Sequence, residues 1–376
     1  MKIAIVCYPT FGGSGVVATM LGTALAHRGH EIHFVTYKMP VRLELLSQKI
    51  FFHEVDVEEY PLFHYQPYDL ALSSKLVNVV QEYKIDVLHV HYAIPHAYAG
   101  YMAQQMLKDQ GITLPMVTTL HGTDITLVGS HPVYKPSVTF SINNSDVVTS
   151  VSASLKQDTL DLFDIKKEIN VVPNFIDMSL YKTEFSDCDR SIMAFPNERI
   201  VTHISNMRPV KRIKDVVRVF ELLSQEVPSV LIMVGDGSDR IEAEEYARSR
   251  KLQHKIKWLG NSSEIDRILC FSDLFLLPSE KESFGLAALE AMANRTPVIS
   301  SNTGGLPEVN ENGVTGYTSD VGNVEEMAQN AIHILKDDEV LRGFKESAFA
   351  KAKQFDIQLI IPQYEKLYES LLHVQP

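Results

Sequence analysis

The sequence predicts an α/β protein made of two doubly wound, Rossmann-like domains, and three observations point there. Short apolar runs alternate with amphipathic stretches of helical period. The alternation stops at a polar, turn-rich stretch and then begins again. The length, 376 residues, suits two domains of about 100–200 residues each. Strand-like runs separated by helical patterns indicate βαβ units and parallel sheets.

In the first half, residues 2–8 read as a buried strand, followed by a glycine-rich turn and a helix over 14–27. Gly29 stands where a helix-ending residue of positive φ belongs. Residues 32–36 form the next strand. A helix over 75–83 follows from Leu76, Val79, Val80 and Tyr83, which share one helical face. Strands recur at 87–90, 116–120, 147–151 and 170–172. The second half repeats the grammar. Strands are expected at 199–204, 230–234, 255–259, 273–277 and 297–300. Helices are expected over 215–225, 242–250, 284–293, 324–336, 340–354 and 358–372. The boundary falls in 173–186. Domain one is then 1–173 together with a returning C-terminal helix, 358–376; domain two is 174–357. Two such domains would face each other across a deep cleft at the carboxyl ends of their strands, where ligands of open α/β sheets bind.

Composition narrows the function. Apolar residues make up 45% and charged residues 22%, which excludes a disordered or collagenous chain. Lys and Arg number 35 against 47 Asp and Glu, so the net charge is −12. No basic face is expected for nucleic acid, and an anionic ligand must find a local island of positive charge. The apolar runs at 3–8, 230–234 and 274–277 fall well short of the roughly 18 residues of a membrane span, so no stable anchor is expected. No secretory leader pattern opens the chain. Cys7, Cys188 and Cys270 are far apart and show no zinc or redox spacing. A reducing cytoplasm is the expected compartment. The oligomeric state stays open, a homo-oligomer among the possibilities.

Three motifs follow strands. Gly12, Gly13 and Gly15 lie between the first strand and the first helix. They match neither the dinucleotide fingerprint nor the phosphate loop with its lysine. Backbone N–H groups at a helix start suit an anion, and a tight strand-to-helix turn is the plainer reading. Arg208, Lys211, Arg212 and Lys214 fall within seven residues after the strand 199–204. Arg208 and Lys211 are expected to point at a diphosphate, since guanidinium binds phosphate bidentately and lysine as a point charge. Arg212 and Lys214 are assigned to the helix surface. After the strand ending at Leu277 come Glu282 and, with seven residues between them, Glu290. The backbone of Phe284, Gly285 and Leu286 is expected to offer donors at a helix start. Glu290, among Gly, Leu and Ala, needs a partner if buried, and a ribose supplies two hydroxyls. His89, His91, His96 and His121 invite a metal reading. No Cys or acid stands at metal-site spacing, so no metal is assigned.

Glu282-x7-Glu290 inside Glu-Ser-Phe-Gly-Leu, the Gly12-Gly13 turn and the Arg208/Lys211 pair resemble the family 4 retaining glycosyltransferases of GT-B fold, over nearly the whole chain. The resemblance implies that Glu290 holds the nucleotide ribose. It places Glu282 and His121 by the donor sugar, and Arg208 and Lys211 on the diphosphate. Gly13, Phe284, Gly285 and Leu286 complete the donor contacts. Many members space the Arg and Lys more widely than here, so which cation meets which phosphate stays open. Three further strings, residues 7–15, 89–96 and 119–126, are similar to the members that start bacillithiol synthesis. These transfer N-acetylglucosamine from UDP-N-acetylglucosamine to the hydroxyl of L-malate, without a cofactor. Malate is a dianion, so Arg42, Ser14, Tyr92 and Thr119, all after strands of the first half, are the expected acceptor contacts. The resemblance makes the first domain acceptor-binding and the second nucleotide-sugar-binding. Rival readings are a relative with another small acceptor, a GT-B UDP-N-acetylglucosamine 2-epimerase, a nicotinamide dehydrogenase weakened by the missing third glycine, and a catalytically silent sugar-nucleotide binder.

Overall fold

The computed structural model describes residues 1–10, 12–41, 43, 47–57, 65–181, 188–262 and 264–373. The chain divides into two compact units, Met1–Phe175 with Ile357–Pro376, and Ile176–Asp356.

The first unit is built on seven strands: β1 (Lys2–Val6), β2 (Glu31–Thr36), β3 (Ile50–Glu54), β4 (Val87–His91), β5 (Met116–Leu120), β6 (Val147–Ser150) and β7 (Ile169–Val171). All pair in parallel, in the order β3-β2-β1-β4-β5-β6-β7. Every residue of β4 and β5 is buried. Helices cover both faces of a parallel sheet, so inner strands lose the polar alternation of half-exposed ones. The second unit carries β8 (Arg199–Ile204), β9 (Ser229–Val234), β10 (Ile256–Gly260), β11 (Leu274–Leu277), β12 (Val298–Ser301) and β13 (Gly316–Ser319). These are again parallel, in the order β10-β9-β8-β11-β12-β13. Both sheets are doubly wound, as the sequence predicts. In each, strand order reverses once, between β1 and β4 and between β8 and β11. The crevice outside the carboxyl ends at such a reversal is where open α/β sheets receive ligands.

The last helix, Ile357–His373, packs into the first unit. Its apolar stripe is capped by two fully buried tyrosines, Tyr364 and Tyr368. The Tyr368 hydroxyl lies 2.7 Å from His89 Nδ1. Glu365 accepts from Arg28 at 2.9 and 2.7 Å and stands 3.0 Å from the His30 ring.

Four differences from the sequence reading have physical causes. The edge strands β3 and β13 carry too few buried residues to stand out as apolar runs. A short helix, Ile265–Cys270, is also new. The helix expected from residue 284 begins at Leu286, because Gly285 takes a left-handed φ of 97° and Phe284 turns into the core. Finally, Cys188 and Cys270, which show no motif spacing in the sequence, are brought side by side, with Cα atoms 6.0 Å apart at a sequence separation of 82. Cys7 is buried and free.

Candidate active site

In the second unit the site starts where β8 ends. Met207 is buried and left-handed, with φ 41°, and Arg208 leaves it in extended conformation. A single 3-10 turn, Pro209–Lys211, then leads to Arg212, whose left-handed φ of 52° starts the helix Ile213–Glu226. That helix absorbs one of the four cations through Asp215, which accepts from Arg212 Nε at 2.6 Å and from Arg218 at 3.1 Å. Lys214 is exposed and pairs with Glu242 at 3.0 Å. Arg208 is exposed and makes no ion pair among the described residues. Lys211 reaches across to Glu282.

The partner loop follows β11. Its backbone is tied to the basic loop by Glu280 N–H donating to Val210 O at 2.8 Å. The Glu282 carboxylate takes Lys211 Nζ and the Ser279 hydroxyl on the same oxygen, the latter at 2.9 Å. A third loop, after β12, closes on it. Gly305 N–H donates to Glu282 O at 2.9 Å. At Gly304, φ 55°, any Cβ would lie 1.9 Å from that same carbonyl oxygen, so only glycine fits. Gly304 and Gly305 were missed in the sequence, although a Gly-Gly pair after a strand was a readable signal. The Phe284 side chain belongs to the core: the residue is 3% exposed, with its ring 5.6 Å from that of Phe355. Leu286 and Glu290 are half-buried on the helix Leu286–Ala293, whose first amides have no partner within the helix.

In the first unit the glycine turn begins the helix Gly13–His27. Gly12 and Gly13 are exposed, whereas a Cβ on Gly15 would stand 2.5 Å from Thr10 O and 2.6 Å from Tyr8 O. The turn therefore needs Gly15 for its own closure and leaves Gly13 open to solvent. Ser14 Oγ lies 2.9 Å from Tyr92 Oη, joining the loops after β1 and β4 at the order reversal. Tyr92 is itself left-handed, φ 85°.

Thr119 is a correction. It is 0% exposed, and its hydroxyl lies 2.7 Å from both His89 Nε2 and Thr149 Oγ1, so it braces the sheet and has no face left for an acceptor. His121 is 9% exposed, with Nε2 2.8 Å from His91 Nδ1. Burial pushes its imidazole down to about 3, so it is neutral at physiological pH. His89 is pushed to about 3 and His96 to about 4 by the same cause. Among the described residues no cluster of His, Cys, Asp and Glu is arranged to hold a metal.

The sequence reading also missed Asp124. Its buried carboxylate accepts from the N–H groups of Ala93 at 2.9 Å, Gly122 at 2.9 Å and His121 at 3.2 Å, locking the loops after β4 and β5 together. Burial raises its pKa and those donors oppose the rise. Beside it opens a cavity of about 500 Å3 whose lining includes Tyr8, Asp69, Tyr92, Tyr98, Asp124 and Tyr134. Arg42, with Phe11 and Asp187, lies outside the described residues.

Residues 11–180 match the model of Glycosyltransferase Family 4, and residues 187–351 that of Glycosyl transferases group 1. The chain is 46% identical over 374 residues to the N-acetyl-alpha-D-glucosaminyl L-malate synthase of Bacillus anthracis, covering 99% of this chain and 97% of the relative. It belongs to the family 4 glycosyltransferases. The glycosyltransferase is also 27% identical to the 2-deoxystreptamine N-acetyl-D-glucosaminyltransferase of Niallia circulans, over 96% of its own length and 98% of that enzyme. The solved structure of HepE from Anabaena, in complex with UDP-glucose, superposes with a TM-score of 0.83 at 24% identity, over 99% of this chain and all of that one. That likeness establishes the GT-B fold. Among the described residues no helix is long and apolar enough to cross a membrane.

Proposed function

We propose that this glycosyltransferase transfers N-acetylglucosamine, with retention, from UDP-N-acetylglucosamine to the hydroxyl of L-malate, releasing UDP, as the first step of bacillithiol synthesis in the cytoplasm. The observation that carries the reading is end-to-end similarity, at 46% identity, to a synthase named for that product.

In this reading Arg208 and Lys211 hold the diphosphate, and the amides at Gly285 and Leu286 add donors to it. Glu290 takes the ribose hydroxyls, while Glu282 and His121 flank the sugar. Gly13 lends its backbone to the donor. Ser14 and Tyr92 contact the acceptor, and Arg42 supplies the cation that a dianion requires. The bond from the anomeric carbon to the β-phosphate oxygen breaks, and one to the malate oxygen forms on the same face. The malate proton passes to the departing phosphate. The two cations stabilise the charge that develops on UDP, the main demand of a reaction whose donor is already activated. No cofactor is invoked.

The test is UDP release from UDP-N-acetylglucosamine with and without L-malate, with the product identified by mass and its anomeric configuration by NMR. Malate-dependent release of an α-linked product is expected. Donor consumption without malate would give the epimerase reading instead, and a wild-type enzyme indifferent to malate would overturn the acceptor.

A further inference from the structure

We propose that His203 and Ser205 form a strut with fixed proton positions that sets the loop bearing Arg208 and Lys211, and that both act as positioning residues for donor binding. The importance of that loop rests on the proposed function; the geometry of the strut does not.

His203, on β8, is fully buried. Its Nδ1 lies 2.8 Å from Leu276 O on the adjacent strand β11. A carbonyl oxygen only accepts, so Nδ1 carries the hydrogen. Burial pushes the imidazole to about 4, so the ring is neutral and Nε2 keeps its lone pair. Nε2 lies 2.7 Å from Ser205 Oγ, which must therefore donate its hydrogen to the ring. The same oxygen accepts from Met207 N–H at 3.2 Å. All three bonds have one permitted direction, from Met207 N–H through Ser205 to His203 and on to Leu276.

What the strut holds is strained. Met207 is a branchless but bulky residue at φ 41°, and it stands immediately before Arg208. A left-handed non-glycine residue persists only where its surroundings over-determine it. Here Ser205 fixes its amide, and Asp239 N–H fixes its carbonyl at 3.0 Å. Ser205 N–H is itself held by Val234 O at 3.1 Å. Beyond Met207, Lys211 N–H closes on Arg208 O at 2.8 Å, so the turn that carries both cations continues directly from the pinned residue.

The charged groups that act on the His203 ring are Lys211 and Glu282. A protonated ring would add a positive charge near Lys211 and lose the lone pair that receives Ser205. A neutral histidine meets both demands, a donor toward β11 and an acceptor toward Ser205, from opposite sides of one rigid ring.

Ser205→Ala removes the middle of the strut with a small change at a half-buried position. Calorimetric titration with UDP as the probe is expected to show binding about tenfold weaker than wild type, the size of one lost hydrogen bond and the loop order it holds. Ser205→Thr, which keeps the hydroxyl, should bind within about twofold of wild type. The KM for L-malate should stay put and circular dichroism at the assay temperature should match wild type, a split that a general loss of structure would not give, while the thermal midpoint falls by roughly 2–10 °C because a buried ring nitrogen loses its donor. Nitrogen-15 NMR of the full chain should show His203 as the neutral Nδ1–H tautomer from pH 6 to 8. UDP affinity equal to wild type in Ser205→Ala, an Nε2–H tautomer, or a ring that titrates in that range would each overturn the strut. If wild-type enzyme fails to bind UDP at all, the proposed function falls, and the NMR result alone decides the strut.

Discussion

Lys211→Ala separates a cation that helps the leaving group depart from one that merely decorates a loop. The Lys211 side chain is 20% exposed and its partner Glu282 13%, so the pair sits in a partly dehydrated setting. For two unit charges about 4 Å apart at an effective dielectric near 20, the attraction is about 4 kcal/mol. Part of that is already present in the bound donor and does not accelerate the reaction. The share that grows as the diphosphate departs resembles that of one preorganised donor at a developing charge, about 10²–10³-fold in kcat. The expected outcome is therefore a kcat lower by that factor, a smaller rise in the donor KM, and an unchanged malate KM. Lys211→Arg should recover part of the rate. The thermal midpoint should move little, because partly exposed ion pairs contribute about 0–1 kcal/mol to stability. The assay is malate-dependent UDP release with both substrates saturating. A kcat within about threefold of wild type would refute the assignment, since no transition-state contact of that kind could be lost so cheaply.

Three further predictions use other parts of the molecule. Glu290→Ala should raise the KM for UDP-N-acetylglucosamine about tenfold or more while sparing the malate KM, because bonds between a charged acceptor and hydroxyls contribute about 1.5–3 kcal/mol; an unchanged donor saturation curve would remove it from the ribose. Tyr368→Phe strips His89 Nδ1 of its 2.7 Å partner inside the first unit, at a cost of about 1–3 kcal/mol. By scanning calorimetry the midpoint should fall by roughly 2–10 °C in a unit of this size. Stability should also fall as pH drops from 7 to 5. His89 and His121 sit at about 3 and His96 and His203 at about 4 when folded, against about 6.5 unfolded. Below that value the unfolded chain binds protons that the folded one refuses, so the slope of stability with pH is positive there. At pH 5 each buried ring costs about 2 kcal/mol, from 1.5 pH units at about 1.4 kcal/mol each. A thermal midpoint that stays flat between pH 7 and 5 would contradict their neutral burial.

The sequence carries what is local and loses what depends on strand adjacency. Strands 116–120 and 199–204 and the helix 324–336 were legible to the residue, because burial on both faces or one apolar stripe writes itself into contiguous residues. The same holds for the site: the cluster around Arg208 and the two glutamates each announce themselves within fifteen residues. Their meeting does not. Lys211 and Glu282 are 71 residues apart and touch because β8 lies beside β11. That neighbourhood comes from the reversal of strand order, which no periodicity encodes. It also explains the misplacement of Thr119. Position after a strand identified it, yet the direction of its side chain depended on His89 and Thr149 on the flanking strands β4 and β6, and both face it. The burial of the Phe284 ring was illegible for a related reason: a left-handed glycine one residue later reverses the chain and sends the ring into the core. His203, Asp124 and the pair Gly304–Gly305 were passed over because each acts on a backbone remote in sequence. The residues that name the chemistry can thus be read along the chain. Those that hold the chemistry in place become visible only when loops from neighbouring strands are brought side by side. For that reason the support of the cationic loop has to be tested by substitutions one residue removed from the ligand, at Ser205 rather than at Arg208.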